Sequence, residues 1–311
     1  MTPRGARRIW CELCPAQTLI ASGALAALAE RSIALLFAVG PGESNDALAV
    51  VAACRNAGVI VGLWPMLEAR RGRWANELTA HALAPFAEGL FERLDREGLL
   101  PDELAIDLEP PFELLATPSI RSLARFLAGN RERGTARLVA WRVHAQALGV
   151  RVIAAALPTV LADGPRRFWQ RILATPVEAL GADHVTAMMY SSLIEGYARG
   201  RLDRNDARSL VGHAAALAAA RPGFGLSLGS IATGSLGDEP VYRSPAELAD
   251  DVAIARAAGT DDLALFSLCG ALRRPPIEPW LDAFVHTEPS VLPPLTARAK
   301  LIERIVSLTG A

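Results

Sequence analysis

Two hydrophobic rhythms alternate along the chain. Short runs rich in β-branched and aliphatic residues fall at about 8–13, 33–39, 59–64, 104–109, 151–156, 184–190, 223–229 and 263–268. Between them lie longer Ala/Leu/Arg stretches whose apolar positions recur at helical spacing, at about 15–30, 45–57, 74–97, 119–148, 165–180, 204–220 and 244–258. Strand-length apolar runs alternating with amphipathic helices are the pattern of parallel βα units. Eight units close a ring, so the reading is α/β, a single (β/α)8 TIM barrel occupying residues 1–311, with a last helix at about 295–307. A Pro-rich stretch at 289–294 leaves that helix free to pack apart from the ring.

Local punctuation agrees with these boundaries. Gly58, Gly149 and Gly259 each close a helical run before a strand, where a left-handed residue is wanted. Ser44, Ser119 and Ser244 stand at helix starts, and Glu247 completes a capping-box spacing with Ser244. The competing architecture, an open doubly wound sheet, wants a Gly-x-Gly-x-x-Gly turn after its first strand; here that position reads Cys14-Pro15-Ala16.

In such barrels the chemistry sits at the carboxyl ends of the strands. The fourth expected strand ends Leu104-Ala105-Ile106-Asp107-Leu108-Glu109-Pro110-Pro111. Side chains alternate along a strand, so Asp107 and Glu109 share one face, and with Ile106 and Leu108 on the helices both acids enter the barrel mouth. Close carboxylates disfavour each other's ionisation, which keeps one protonated near neutral pH, as a general acid must be. The plainer reading is an acidic pair that binds a cation, caps a helix or pairs with an arginine such as Arg142. A second carboxylate within glycosidase range would have to come from Glu12, Glu68 or Glu195, because the seventh strand ends Leu226-Ser227-Leu228-Gly229-Ser230. Trp10, Trp64 and Tyr190 lie near strand ends, where aromatic faces stack on sugar rings.

Asp102-x-x-Ala105-x-Asp107-x-Glu109 resembles the Asp-x-x-Asp-x-Asp-x-Glu motif of family 18 glycoside hydrolases, the chitinase-like barrels, which also ends their fourth strand. Met188-Met189-Tyr190-Ser191 likewise resembles their Met-x-Tyr-Asp at strand six. The resemblance implies Glu109 as general acid/base, Asp107 assisting the substrate's own N-acetyl group as it attacks, and Tyr190 hydrogen-bonded to that group. Trp64, Trp10, Glu12, Ser191 and Glu68 would then surround the substrate. Three departures accompany it: Ala105 replaces the inner aspartate, Ser191 replaces the one after the tyrosine, and strand eight ends Leu265-Phe266-Ser267-Leu268 without the family's tryptophan. The stretch 234–262 holds a single helix, too short for the extra domain that deepens the groove of processive chitinases.

Composition removes other classes. Hydrophobic residues make up 51% of the chain and charged ones 21%, a globular balance, and a net charge of -1 offers no basic surplus for nucleic acid. No run reaches the length of a membrane span, and residues 1–6 lead into Arg7-Arg8 without a signal-type apolar stretch, so the expectation is a cytoplasmic protein with no membrane partner. The five histidines form no His-x-His or His-Glu-x-x-His pair, and neither metal nor other cofactor is expected. Cys11-x-x-Cys14 lacks the second pair of a zinc site, and the four cysteines read as structural or incidental thiols. The expected partner is a small-molecule or oligosaccharide substrate; the oligomeric state is open. Two rivals stand beside a glycosidase: a barrel that binds carbohydrate without cleaving it, and an enzyme of phosphorylated metabolites using the loop Gly229-Ser230-Ile231-Ala232-Thr233-Gly234.

Overall fold

The structure, a computed structural model, describes residues 6–116, 119–129, 131 and 133–310. Strands β1 (Arg7–Cys11), β2 (Ala34–Val39), β3 (Val61–Pro65), β4 (Glu103–Leu108), β5 (Arg151–Ala156), β6 (His184–Met188), β7 (Phe224–Gly229) and β8 (Leu263–Phe266) pair in parallel. They follow chain order, and β8 returns to β1 to close the barrel. The expected (β/α)8 TIM barrel is therefore the fold. Glu109, Tyr190 and Leu268, placed in strands by their apolar neighbourhoods, lie beyond the last paired residues, where the chain leaves the ladder.

Alternation sorts the strand residues into two cores. Ile9, Leu35, Leu63, Leu104, Ile106 and Leu108 face outward into the helix-covered core. Trp10, Leu36, Ala38, Trp64, Ala105, Ala155 and Ala264 face inward and fill the barrel's middle. Each fully buried aliphatic side chain contributes roughly 1.5–3 kcal/mol. Below this plug, Arg8 Nε and Nη2 meet the two Glu103 carboxylate oxygens at 3.0 and 3.1 Å, and Nη1 meets Asp262 at 3.1 Å. His184 Nε2 lies 2.9 Å from the same Asp262 oxygen. Burial alone would raise the Asp262 pKa; His184 and Arg8 more than offset it and hold the carboxyl below its usual range. This charged layer seals the end of the barrel opposite the strand carboxyl termini.

Several expected helices are broken. The stretch 15–30 becomes Ala16–Ala21 and Ala24–Glu30, with Gly23 at φ 74° between them, and 119–148 becomes Ile120–Ala128 and Gly134–Ala147. The helix expected from 74 begins only at Ala80 (Ala80–Arg96). Short helices not foreseen, Ser191–Tyr197 and Leu268–Arg273, directly follow β6 and β8. Ser44 is the first residue of its helix rather than its cap, which is Glu43. Ser244 does cap Pro245–Ala257, but without a side-chain bond, and Glu247 accepts instead from the Arg243 backbone N–H at 2.8 Å. The box at Ser119 is formed with Ser122. Gly58 and Gly149 adopt φ of 71° and 79°, as helix ends require.

The last helix runs Ala297–Gly310 and is tied to the ring rather than apart from it. Trp169 Nε1 donates to the Val306 carbonyl at 3.1 Å, and Thr296 Oγ1 donates to Asp206 at 2.6 Å. Among the described residues no helix is long and apolar enough to cross a membrane.

Candidate functional site

At the carboxyl end of the barrel lies a cavity of about 200 Å³. Glu12, Asp107, Glu109 and Glu239 bring carboxylates to it, and Trp10, Trp64, Trp74, Tyr190 and Phe266 form aromatic walls. Met188, Leu193 and Ile194 complete the β6 side. No basic residue stands in the lining among the described residues.

Asp107 belongs to β4, one step above Ala105, and is 5% exposed. Glu109 lies just past the strand, held by the segment after β3. Ala75 N–H donates to the Asp107 carbonyl at 2.9 Å, Glu109 N–H donates to the Ala75 carbonyl at 3.2 Å, and Asn76 Nδ2 donates to the Glu109 carbonyl at 2.9 Å. Asn76 is fixed in turn, since its Oδ1 accepts from the N–H groups of Leu78 and Thr79 at 3.0 Å each. Residues 74–79, read in the sequence as the first turn and a half of a helix, are thus an Asx-capped loop that extends β4 by one bridge. Trp74 and Asn76 were missed for that reason. The clue was the Asn76-x-x-Thr79 spacing ahead of an apolar run.

Burial dominates the electrostatics. It pushes the Glu109 carboxyl up to about 8, with the charges of Glu12 and Glu239 adding to the effect. Asp107 is driven well above the usual carboxylate range by burial, then by Glu109 and Glu12. Its Oδ1 is buried without a hydrogen-bond partner, as are the indole N–H groups of Trp10 and Trp64. Among the described residues these three polar atoms, buried beside the cavity, have no protein partner. Glu12, just beyond β1, is raised by burial although Ser235 donates to it and Arg73 stands 3.7 Å away. Glu239 comes from the loop after β7, its carboxylate accepting from Leu236 and Gly237 N–H at 2.9 and 2.8 Å.

Tyr190 caps the short helix after β6 and sets its ring nearly parallel to Phe266, with centroids 5.9 Å apart. Its hydroxyl meets Ser227 Oγ of β7 at 3.1 Å, and burial, with the nearby acids, raises its pKa. Trp10 and Trp64 pack edge to face at 5.0 Å, forming the floor. Trp74 packs on Phe112 at 5.4 Å.

Of the residues singled out in the sequence, Glu109, Asp107, Tyr190, Trp64, Trp10 and Glu12 come together here. Ser191 does not. It opens the helix Ser191–Tyr197 past the end of β6 and is fully buried behind the wall, donating to Asp251 and accepting from Arg204 at 3.2 Å. Glu68 does not either. The chain turns after β3 into a short 3-10 segment, leaving the Glu68 side chain 48% exposed and paired with Arg70. Glu195 pairs with Arg204 at 2.6 Å, outside the lining. Arg142 binds the Leu180 carbonyl and Gln146, well away from the acidic pair. Asp102, the first position of the strand-four motif, accepts from Val61 N–H at 2.8 Å and steadies β3.

No protein-family model matches the chain, and no curated protein matches it in sequence. Solved structures match it in shape. The PgaB (BpsB) glycoside hydrolase domain from Bordetella bronchiseptica superposes with a TM-score of 0.50 at 13% identity, covering 90% of this chain and 99% of that one. A GH18 chitinase from Cycas revoluta, in complex with (GlcNAc)4, gives 0.52 at 11% identity, covering 91% and 100%. The likeness is one of fold.

Proposed function

We propose that the chain is a glycoside hydrolase-like barrel that cleaves a glycosidic bond in this cavity, with Glu109 as general acid/base and Asp107 assisting. The observation that carries the reading is the Glu109 carboxyl itself. It is held at about 8, hence protonated at neutral pH, in a mouth walled by aromatic rings and beside a second carboxyl on the same strand face.

In this reading Glu109 gives its proton to the leaving oxygen as the bond to the anomeric carbon breaks. An N-acetyl group on the substrate supplies the nucleophile, its carbonyl oxygen closing on the anomeric carbon while Asp107 accepts from its N–H and Tyr190 donates to its oxygen. Water then opens the ring, and Glu109, now a carboxylate, takes the proton back. The substrate-assisted form rests on the resemblance of the strand-four and strand-six motifs to family 18. The unpartnered Asp107 Oδ1 suits the role given to it. The indole N–H groups of Trp10 and Trp64 suit sugar hydroxyls.

A second reading, binding without cleavage, is favoured by one specific feature. Where the family motif has an inner aspartate, Ala105 sits fully buried in the apolar plug, and Ser191 is turned away, so two carboxylates of the family's set are gone. A phosphorylated substrate is not supported, since the described lining holds acidic groups and no basic side chain to bind a phosphate. The test is hydrolysis of fluorogenic glycosides, with and without N-acetyl groups, by wild type and Glu109→Gln. The expected result is cleavage of N-acetylated substrates that drops ~10²–10⁴-fold in the variant. Saturable binding of the same sugars with no cleavage by either protein supports the second reading instead.

A further inference from the structure

Three of the four cysteines meet behind the wall of the cavity. Cys11 ends β1 on its outward face, Cys14 lies three residues on at the surface, and Cys269 belongs to the short helix after β8, the strand that neighbours β1. Cys11 Sγ lies 3.5 Å from Cys269 Sγ, and Cys14, whose Sγ is 3.7 Å from the Pro15 carbonyl, follows three residues after Cys11. The Leu13 backbone N–H donates to Cys269 Sγ at 3.3 Å. Cys11 and Cys269 are buried and Cys14 is partly exposed, so a reagent arriving from solvent meets Cys14 first. The fourth cysteine, Cys54, is buried under the helix Ser44–Ala57 and takes no part.

We propose that Cys14, Cys11 and Cys269 form a thiol relay, a modification site for small-molecule disulfides, in which oxidation enters at Cys14 and comes to rest as a buried Cys11–Cys269 disulfide.

The steps balance as thiol–disulfide exchanges. The Cys14 thiolate attacks one sulfur of a reagent RS–SR; that bond breaks, a mixed disulfide forms on Cys14, and the first RS⁻ leaves with a proton from solvent. Cys11, giving its proton to the neighbouring Cys269 thiolate, attacks the Cys14 sulfur as the thiolate and forms Cys11–Cys14; the second RS⁻ leaves and takes up that proton, restoring the Cys269 thiolate. The Cys269 thiolate then attacks Cys11, forming Cys11–Cys269 and returning Cys14 to a thiol. Overall two protein thiols are oxidised and one reagent is reduced to two RSH.

The surroundings favour this order. The neighbouring Cys11 lowers the Cys14 pKa, with Arg273 helping against the cost of partial burial. Cys269 is lowered to about 7, first by the hydrogen bond from Cys11 and then by the Leu13 N–H, so a good fraction is the attacking thiolate at neutral pH. Cys11 has its pKa raised well above the usual thiol range by Cys14, Cys269 and burial. Closing the 3.5 Å gap to a disulfide near 2.0 Å asks for a small side-chain shift. Glu12, whose carboxyl lines the cavity, is the next residue after Cys11.

The native protein is treated with an aromatic disulfide, 5,5′-dithiobis(2-nitrobenzoate), and its released thiolate and intact mass are followed. The expected result for wild type is two equivalents of released thiolate, a chain lighter by two hydrogens without adduct, and a Cys11–Cys269 linkage in a non-reducing digest. Cys14→Ser should slow the reaction at least tenfold. Cys11→Ser should stop at one equivalent with a stable adduct on Cys14. A persistent adduct on wild-type Cys14, a rate unchanged by Cys14→Ser, or no reaction in the native state overturns the proposal. The wild-type stoichiometry decides it even if Cys11→Ser fails to fold, and none of these readouts depends on catalysis.

Discussion

Asn76 Nδ2 donates to the backbone carbonyl of Glu109 at 2.9 Å, while Asn76 Oδ1 accepts from the N–H groups of Leu78 and Thr79, capping the turn that leads into the helix Ala80–Arg96. One buried amide thus ties the proposed acid to the start of Ala80–Arg96. Asn76→Ala removes both the cap and the support for Glu109. The expected cost is about 1–3 kcal/mol of stability, from the lost cap and the orphaned carbonyl. Thermal unfolding measures it, and a variant as stable as wild type would show that the bond carries no load.

The raised Glu109 pKa has a consequence for stability. The folded chain keeps a proton on Glu109 up to about pH 8, whereas the ordinary value is 4.5, so between these limits the folded state binds more protons than the unfolded one. Stability therefore falls as pH rises through that window. Glu109→Gln removes the ionisation and should raise Tm by a few degrees at pH 8.5, given roughly 2–4 °C per kcal/mol in a chain approaching this size. Near pH 5, where Glu109 is protonated, the gain should vanish. Melting curves at the two pH values check this, and an equal or lower Tm for the variant at pH 8.5 contradicts it.

At the far end of the barrel, Arg8 and Glu103 are buried together, with side-chain exposures of 2% and 3%. Arg8→Met strands the Glu103 carboxylate and should cost about 3–5 kcal/mol. The double variant Arg8→Met/Glu103→Leu should recover most of the loss, because it also removes the buried Glu103 charge while Asp262 keeps His184 and the exposed Arg151 turns to solvent. Urea unfolding of the three proteins measures the difference. A double variant no more stable than Arg8→Met would mean that the layer acts through Asp262 and His184 instead.

The barrel was legible because strand alternation survives locally: Ile106 and Leu108 face the helices, and Asp107 and Glu109 face the mouth, as the two-residue period requires. The breaks at Gly23 and between Ala128 and Gly134 were not, because the apolar spacing on either side reads as one helix; Ser22-Gly23 and Gly129-Asn130 were the signals passed over. Ser191 was misplaced by extending a motif past the strand, which ends at Met188; Ser191 opens the helix Ser191–Tyr197 and its hydroxyl turns to Asp251 and Arg204. Glu239 and Ser235 went unseen because they lie in a loop without periodicity, held by the Glu239 carboxylate accepting from the Leu236 and Gly237 N–H groups. Trp74 was hidden by helix-like neighbours whose true role is the Asn76 cap.

The most direct measurement is the rate of cleavage of an N-acetylated fluorogenic glycoside from pH 5 to pH 10. A general acid with its pKa at about 8 should give a kcat/KM that holds near neutral pH and falls tenfold per unit above that value, and Glu109→Gln should lose both the activity and the fall. Equal cleavage by wild type and Glu109→Gln, or a wild-type rate already falling above pH 5, would contradict a protonated Glu109 as the acid.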